Sequence, residues 1–118
     1  MQPLSTIEIN KIYRFIQALL GRASINVNRK YEVVFLDYRK LEKIRERSNI
    51  LCVNDICLDP RGIILLNKEV LPNVAIKKVM LGMVLLAFLD NFGNINLKYA
   101  NKLVEEYYDK VIVYLYKK

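Results

Sequence analysis

The sequence predicts a single α+β domain, and three observations carry that expectation. Apolar residues at helical spacing open the chain over 5–21, short β-rich runs separated by turn residues fill 31–67, and two long apolar stretches, 73–91 and 97–116, close it. With 118 residues, 53% of them apolar and 26% charged, the chain is of a size for one packed core rather than two. The expected order over residues 1–118 is an N-terminal helix, a small three- to four-stranded sheet containing a hairpin, a buried helix and a C-terminal helix.

Each element has its own local reason. STIEINKIYRFIQALLGRA opens with Ser5, Thr6 and Glu8, the residues of a helix cap, and places Ile9, Ile12, Ile16, Leu19 and Leu20 on one stripe that ends near Gly21. RKYEVVFLDY is rich in β-branched and aromatic residues and predicts a strand over about 31–37. RKLEKIRERS alternates charge sign at helical spacing, which suits a short exposed helix or a structured loop. In SNILCVNDICLD two apolar runs flank Asn54-Asp55, a pair that tolerates the positive φ of a two-residue hairpin turn. A second turn at Asp59-Pro60-Arg61-Gly62 leads to the strand IILLN.

After Pro72, residues 73–91 form a helix that is apolar nearly all round and must be covered on most sides. Its uninterrupted apolar run, 79–89, falls short of the roughly 20 residues that cross a bilayer, so a core helix is expected and no membrane partner. Gly82 in mid-helix is less favourable than Ala by about 1 kcal/mol, so it is either a glycine that a core helix simply tolerates or one compensated by close approach of another backbone. Gly93 ends the helix. The last stretch, 97–116, predicts a helix, although VIVYLY alone would suit a strand.

Composition excludes several chemistries. There is no His, so no His-dependent general base or metal site can form. Glycines at 21, 62, 82 and 93 are too scattered for a phosphate loop, and Ser5, Ser24 and Ser48 have neither a His partner nor a nucleophile elbow. No cofactor is expected, and the protein is expected not to be an enzyme. Charged and polar residues interrupt the first fifteen positions, so no signal peptide is read and a cytoplasmic location is expected.

The net charge of +7 is uneven: residues 1–47 hold ten basic against five acidic side chains, and 48–118 hold nine against seven. Arg22, Arg29, Lys30, Arg39, Lys40, Lys43, Arg45 and Arg47, with Tyr31 and Tyr38 between them to stack on bases, are therefore candidate nucleic-acid ligands. Glu32, Asp37, Glu42 and Glu46 dilute the same stretch, as on an ordinary solvated face. Tyr107, Tyr108, Tyr114 and Tyr116 hold half of the eight tyrosines and make a candidate protein interface, with packing against the core as the alternative for some of them. Asp37, Asp55, Asp59 and Glu69, with Lys68, could serve a metal-dependent nuclease, though acids at strand ends are more often turn formers. Cys52 and Cys57 face each other across the expected hairpin, where either a cross-strand disulfide or two buried thiols fits; intracellular disulfides are common in hyperthermophiles.

The element order and the phrase GIILLNKEVLPNVAIKKVMLGMVLLAFLDNFG together resemble small zincin-like metalloprotease domains, in which such a strand leads into a helix bearing H-E-x-x-H. The five motif positions fall on Leu81, Gly82, Met83, Val84 and Leu85, and none can bind zinc or act as a base. The resemblance thus implies a degenerate zincin-like fold without its metal. By elimination, the expected function is a non-catalytic binding or inhibitory protein with a protein partner, of the kind viruses and mobile elements encode. A nucleic-acid-binding protein is the alternative, and a nuclease the third reading.

Overall fold

Helix α1 (Thr6–Arg22) begins where Ser5 and Glu8 close a capping box: Glu8 N–H donates to Ser5 Oγ at 3.1 Å, and Ser5 N–H donates to Glu8 Oε1 at 2.9 Å. The computed structural model describes residues 2–117 of the chain. The α1 stripe buries Ile12, Ile16 and Leu20, with Ile9 and Leu19 at its margins. The helix runs one residue past Gly21, and the left-handed residue beyond it is Ser24, at φ 61°.

Strand β1 (Glu32–Leu36) leads into α2 (Tyr38–Arg45), which settles the charged segment as a helix; Asp37 caps it by accepting from Lys40 N–H at 2.9 Å. The hairpin β2 (Leu51–Val53) and β3 (Ile56–Asp59) turns at Asn54-Asp55, with Asn54 at φ 55°. Cys52 and Cys57 are direct partners in that ladder, and the disulfide between them staples it. Strand β4 (Ile63–Asn67) completes a four-stranded mixed sheet in the order β1-β4-β3-β2, parallel between β1 and β4 and antiparallel elsewhere.

Strand periodicity gives the sheet two buried faces. Phe35, Ile56, Leu58, Ile64 and Leu66 point into the main core, whereas Cys57 and Leu65 join Leu41 of α2 in a smaller cluster behind the sheet. The main core is built around α3 (Pro72–Phe92), whose residues from Val79 to Phe88 are all buried. Pro72 starts it at a position where no N–H is needed, and Gly93, at φ 72°, ends it with its N–H on the Leu89 carbonyl. Helix α3 is the one described helix long and apolar enough to cross a membrane, and most of that stretch is buried inside the domain.

Helix α4 (Leu97–Tyr116) closes the fold against α1 and α3. VIVYLY stays helical because Val111 and Leu115 continue the i, i+4 stripe of Ala100, Leu103, Val104, Tyr107 and Tyr108 into the core. Gly82 is neither merely tolerated nor set against another backbone. It faces a side chain rather than a backbone: a methyl group added there would stand 2.8 Å from Ile64 Cγ2 on β4.

Replacing Gly82 with Ala should therefore destabilise the fold by about 1–2 kcal/mol despite the gain in helix propensity, because overpacking outweighs it. Urea denaturation of Gly82→Ala, Ile64→Ala and the double variant checks this. The double variant should cost less than the sum of the two, since Ile64→Ala removes the atoms that collide.

Candidate functional site

The fold distributes the charged candidates over several surfaces rather than one. Tyr38, Arg39, Lys40, Lys43 and Arg47 are exposed on or beside α2, behind the sheet. Arg22 lies on the opposite side of the sheet, at the end of α1, beside Leu19 and Tyr107. Arg45 turns inward: it donates to the Asn54 carbonyl and pairs with Glu42 at 3.3 Å, so it anchors the hairpin tip from α2. Lys78 of α3 pairs with Asp55 and holds the same tip from the other side of the sheet; its burial lowers its pKa.

Arg29 and Tyr31 form the most connected polar cluster of the chain. Arg29 donates to Asp90 through Nη2 at 2.7 Å and Nε at 3.1 Å, and also to the Pro60 carbonyl at 2.6 Å. Tyr31 donates its hydroxyl to Asp90 at 2.8 Å and meets Tyr13 edge-on, while Tyr13 donates to the Arg29 carbonyl. Tyr31 is buried, so its ring packs in the core and offers no face to a base. The cluster joins the end of α3 to the segment before β1 and to the turn before β4. Burial opposes ionisation of Asp90, but the Arg29 and Tyr31 hydrogen bonds outweigh it and hold the carboxyl below its ordinary value.

The acids considered for a nuclease also have local partners. Asp37 caps α2, Asp55 pairs with Lys78, and the buried Asp59 is gripped by Arg61 at 2.6 Å and by its backbone N–H at 2.9 Å. Glu69 is exposed and donates its N–H to Asn67. Among the described residues no three His, Cys, Asp or Glu side chains gather as a metal would require. Leu81 and Leu85, where a zincin-like motif would carry its histidines, are both buried, so α3 presents no polar group to a cleft there.

Three of the four tyrosine candidates, Tyr107, Tyr114 and Tyr116, contact α1 from α4, whereas Tyr108 does not. Tyr107 and Tyr114 both lie against Phe15, at centroid distances of 6.3 and 6.1 Å. Tyr116 donates to Glu8 at 2.7 Å, a bond that pushes its pKa up to about 12. Lys110 lies over the Tyr107 ring, and Tyr108 packs under Lys77 on the α3 side. A groove of about 320 Å³ opens between Phe15, Ala18, Leu19, Arg22, Tyr107 and Lys110. Tyr114, packed on Phe15 beside it, is 42% exposed, and elsewhere on the two helices Tyr116, Val113 and Ile7 are 53%, 57% and 70% exposed.

Sequence reasoning passed over Val113 and Ile7, two exposed apolar residues. Their signal is that each breaks the stripe of its helix: 12, 16 and 20 are buried on α1, and 104, 111 and 115 on α4. Comparison with protein-family models, with curated proteins and with solved structures gave no match to this chain.

The Asp90 cluster sets a pH dependence. A folded pKa below the unfolded one contributes stability that is present above the unfolded value, near 3.8, and lost as pH falls through the folded value. Asp90→Asn should cost about 1–2 kcal/mol at pH 7, because the pair is partly exposed, and the difference should shrink below pH 4. Thermal unfolding of both proteins between pH 2 and pH 7, in steps of about one unit, reads this directly.

Proposed function

We propose that the chain is a non-catalytic protein-binding module that engages its partner through the α1–α4 seam. The observation that supports this reading is the aromatic groove between Phe15, Leu19 and Tyr107, beside which Tyr114 packs on Phe15 and stays partly exposed. Exposed apolar side chains scattered singly are ordinary on a protein surface, whereas aromatic groups beside a groove have the composition of interface centres. Intramolecular packing of Tyr107 and Tyr114 on Phe15 fixes their rotamers before any partner arrives, which reduces the entropy lost on binding. Arg22 and Lys110 line the groove, so a partner segment with apolar residues and acids complements it. Inhibition of that partner follows if its own working surface is what the seam covers.

A second reading rests on α2, where Arg39, Lys40, Lys43 and Arg47 share an exposed region with Tyr38. Such a face would bind a nucleic-acid backbone non-specifically. Glu42 and Glu46 on the same short helix weaken its field.

Photo-crosslinking from position 113 in the host cell should trap one discrete partner, and Val113→Asp with Tyr114→Ala should abolish the purified complex while costing the fold only about 1–2 kcal/mol, the loss of the Tyr114–Phe15 contact. An unchanged complex in that double variant would overturn the α1–α4 reading. On the second reading, binding to labelled DNA or RNA should fall steeply with salt, and reversing Arg39, Lys43 and Arg47 should flatten that slope. No binding at low salt would dispose of it.

A further inference from the structure

We propose that the turn between α3 and α4 holds a single-stranded nucleic-acid segment, with one base lodged against Phe92 and Tyr99 and the flanking phosphates on cations to either side. The site is separate from the α2 face; it meets the end of the α1–α4 groove at Arg22 but does not depend on that reading. Residues 91–104, NFGNINLKYANKLV, contain four asparagines, two lysines, Phe92 and Tyr99, and no acid. Phe92 and Tyr99 are 59% and 40% exposed, and both pack on the buried ring of Phe88, at centroid distances of 6.2 and 5.9 Å. A cavity of about 270 Å³ is lined by these three rings together with Ile25, Asn94 and Asn96.

That lining suits a flat ring whose edge carries both donors and acceptors. Asn96 accepts from the Tyr99 N–H through Oδ1 at 3.0 Å, which leaves its amide N–H groups to donate. Asn94 is exposed, and no hydrogen bond among the described residues uses its side chain. The edge of a base pairs with such amides, whereas a purely apolar side chain does not. Exposed aromatic rings beside cations are the means by which single strands are held without regard to sequence.

Charge selects a strand over a single nucleotide. Tyr99 borders two further hollows, which lie on opposite sides of it around the α4 axis. One, of about 510 Å³, is bordered by Lys98 and Lys102, one turn apart; the other, of about 180 Å³, is bordered by Arg22, Leu103 and Tyr107. None of the ion pairs among the described residues involves Arg22, Lys98 or Lys102. The acid that borders the larger hollow, Glu105, is paired with Lys77 at 3.4 Å, and Asp90, just before the segment, is held by Arg29 and Tyr31. Glu106 and Asp109 border none of the three hollows. Cations on both sides of the aromatic position answer two successive phosphates, which a mononucleotide does not carry. A duplex keeps its bases stacked on one another and offers no ring face.

The test is a titration of the isotope-labelled chain with a thymidine strand of about ten nucleotides at low salt, followed through its amide resonances. The same titration is run with an abasic strand of that length, a duplex, thymidine monophosphate, and a blocked peptide alternating phenylalanine and glutamate. The single strand should shift the amides of residues 92–102 and Arg22 and bind about tenfold more tightly than any of the other four. Phe92→Ala should weaken strand binding about tenfold, and Lys98→Gln with Lys102→Gln should lower the slope of log affinity against log salt by about 1.4. If Phe92→Ala fails to fold, the lysine variant and the comparison with the abasic strand decide the matter. Equal binding of the abasic strand, the mononucleotide or the peptide, or unchanged binding by folded Phe92→Ala, would overturn the proposal. Shifts confined to residues 39–47 would overturn it in favour of the α2 face, and shifts confined to Phe15, Tyr107 and Tyr114 would overturn it while leaving the α1–α4 reading intact.

Discussion

Helix α3 is apolar on every side, and a helix of that kind has no stable position except inside a shell. The sheet covers it on one flank and α1 and α4 cover it on the others, so its burial dictates the layer order of the domain. The contact with β4 is close enough that a methyl group added at position 82 would collide with Ile64. That approach brings Leu81 and Leu85 down into the same core, where a polar residue would be left without water or partner. The apolar character of α3 therefore does two things: it organises the fold and leaves the interior no room for polar chemistry at those positions.

Around this core, polar side chains serve mainly as clamps between segments distant in sequence. Asp90, one residue beyond the apolar run, binds Arg29 and Tyr31, and Asn91 exchanges hydrogen bonds with the backbone of Asn26. The end of α3 thus fixes the path of the chain into β1. In the N-terminal half of the helix, Lys78 meets the hairpin turn from one side while Arg45 of α2 meets it from the other. The Cys52–Cys57 bond lies just inside that turn and makes the shortest strands of the sheet a stapled unit. Bonds of this kind persist in oxidising compartments and in intracellular proteins of hyperthermophiles.

What the clamps leave over defines the surfaces that remain for partners. Several of the basic side chains and most of the strand-end acids are taken up in holding the fold, which removes them from a shared nucleic-acid face or a metal cluster. The α1–α4 seam differs, because its aromatic rings are half-buried against one another and still present an outer side.

The elements themselves were legible in the chain because their causes are local. The Ser5 and Glu8 box, the Asn54-Asp55 turn, Pro72 and Gly93 each act within a few residues, and the stripes of α1 and α4 follow from periodicity alone. Even the facing of Cys52 and Cys57 follows from a two-residue turn, although their bond does not. Tertiary structure decided the fate of side chains whose partners are far away in sequence. Tyr31 is a buried anchor because Asp90 reaches it from 59 residues along the chain, and Arg45 faces a turn rather than solvent. It also decided that Gly82 answers a side chain of β4, that Val113 faces outward, and that β1 rather than β4 is left at the edge. Composition and spacing determine what a segment prefers to be, whereas strand order and long-range contacts determine which of its atoms remain available.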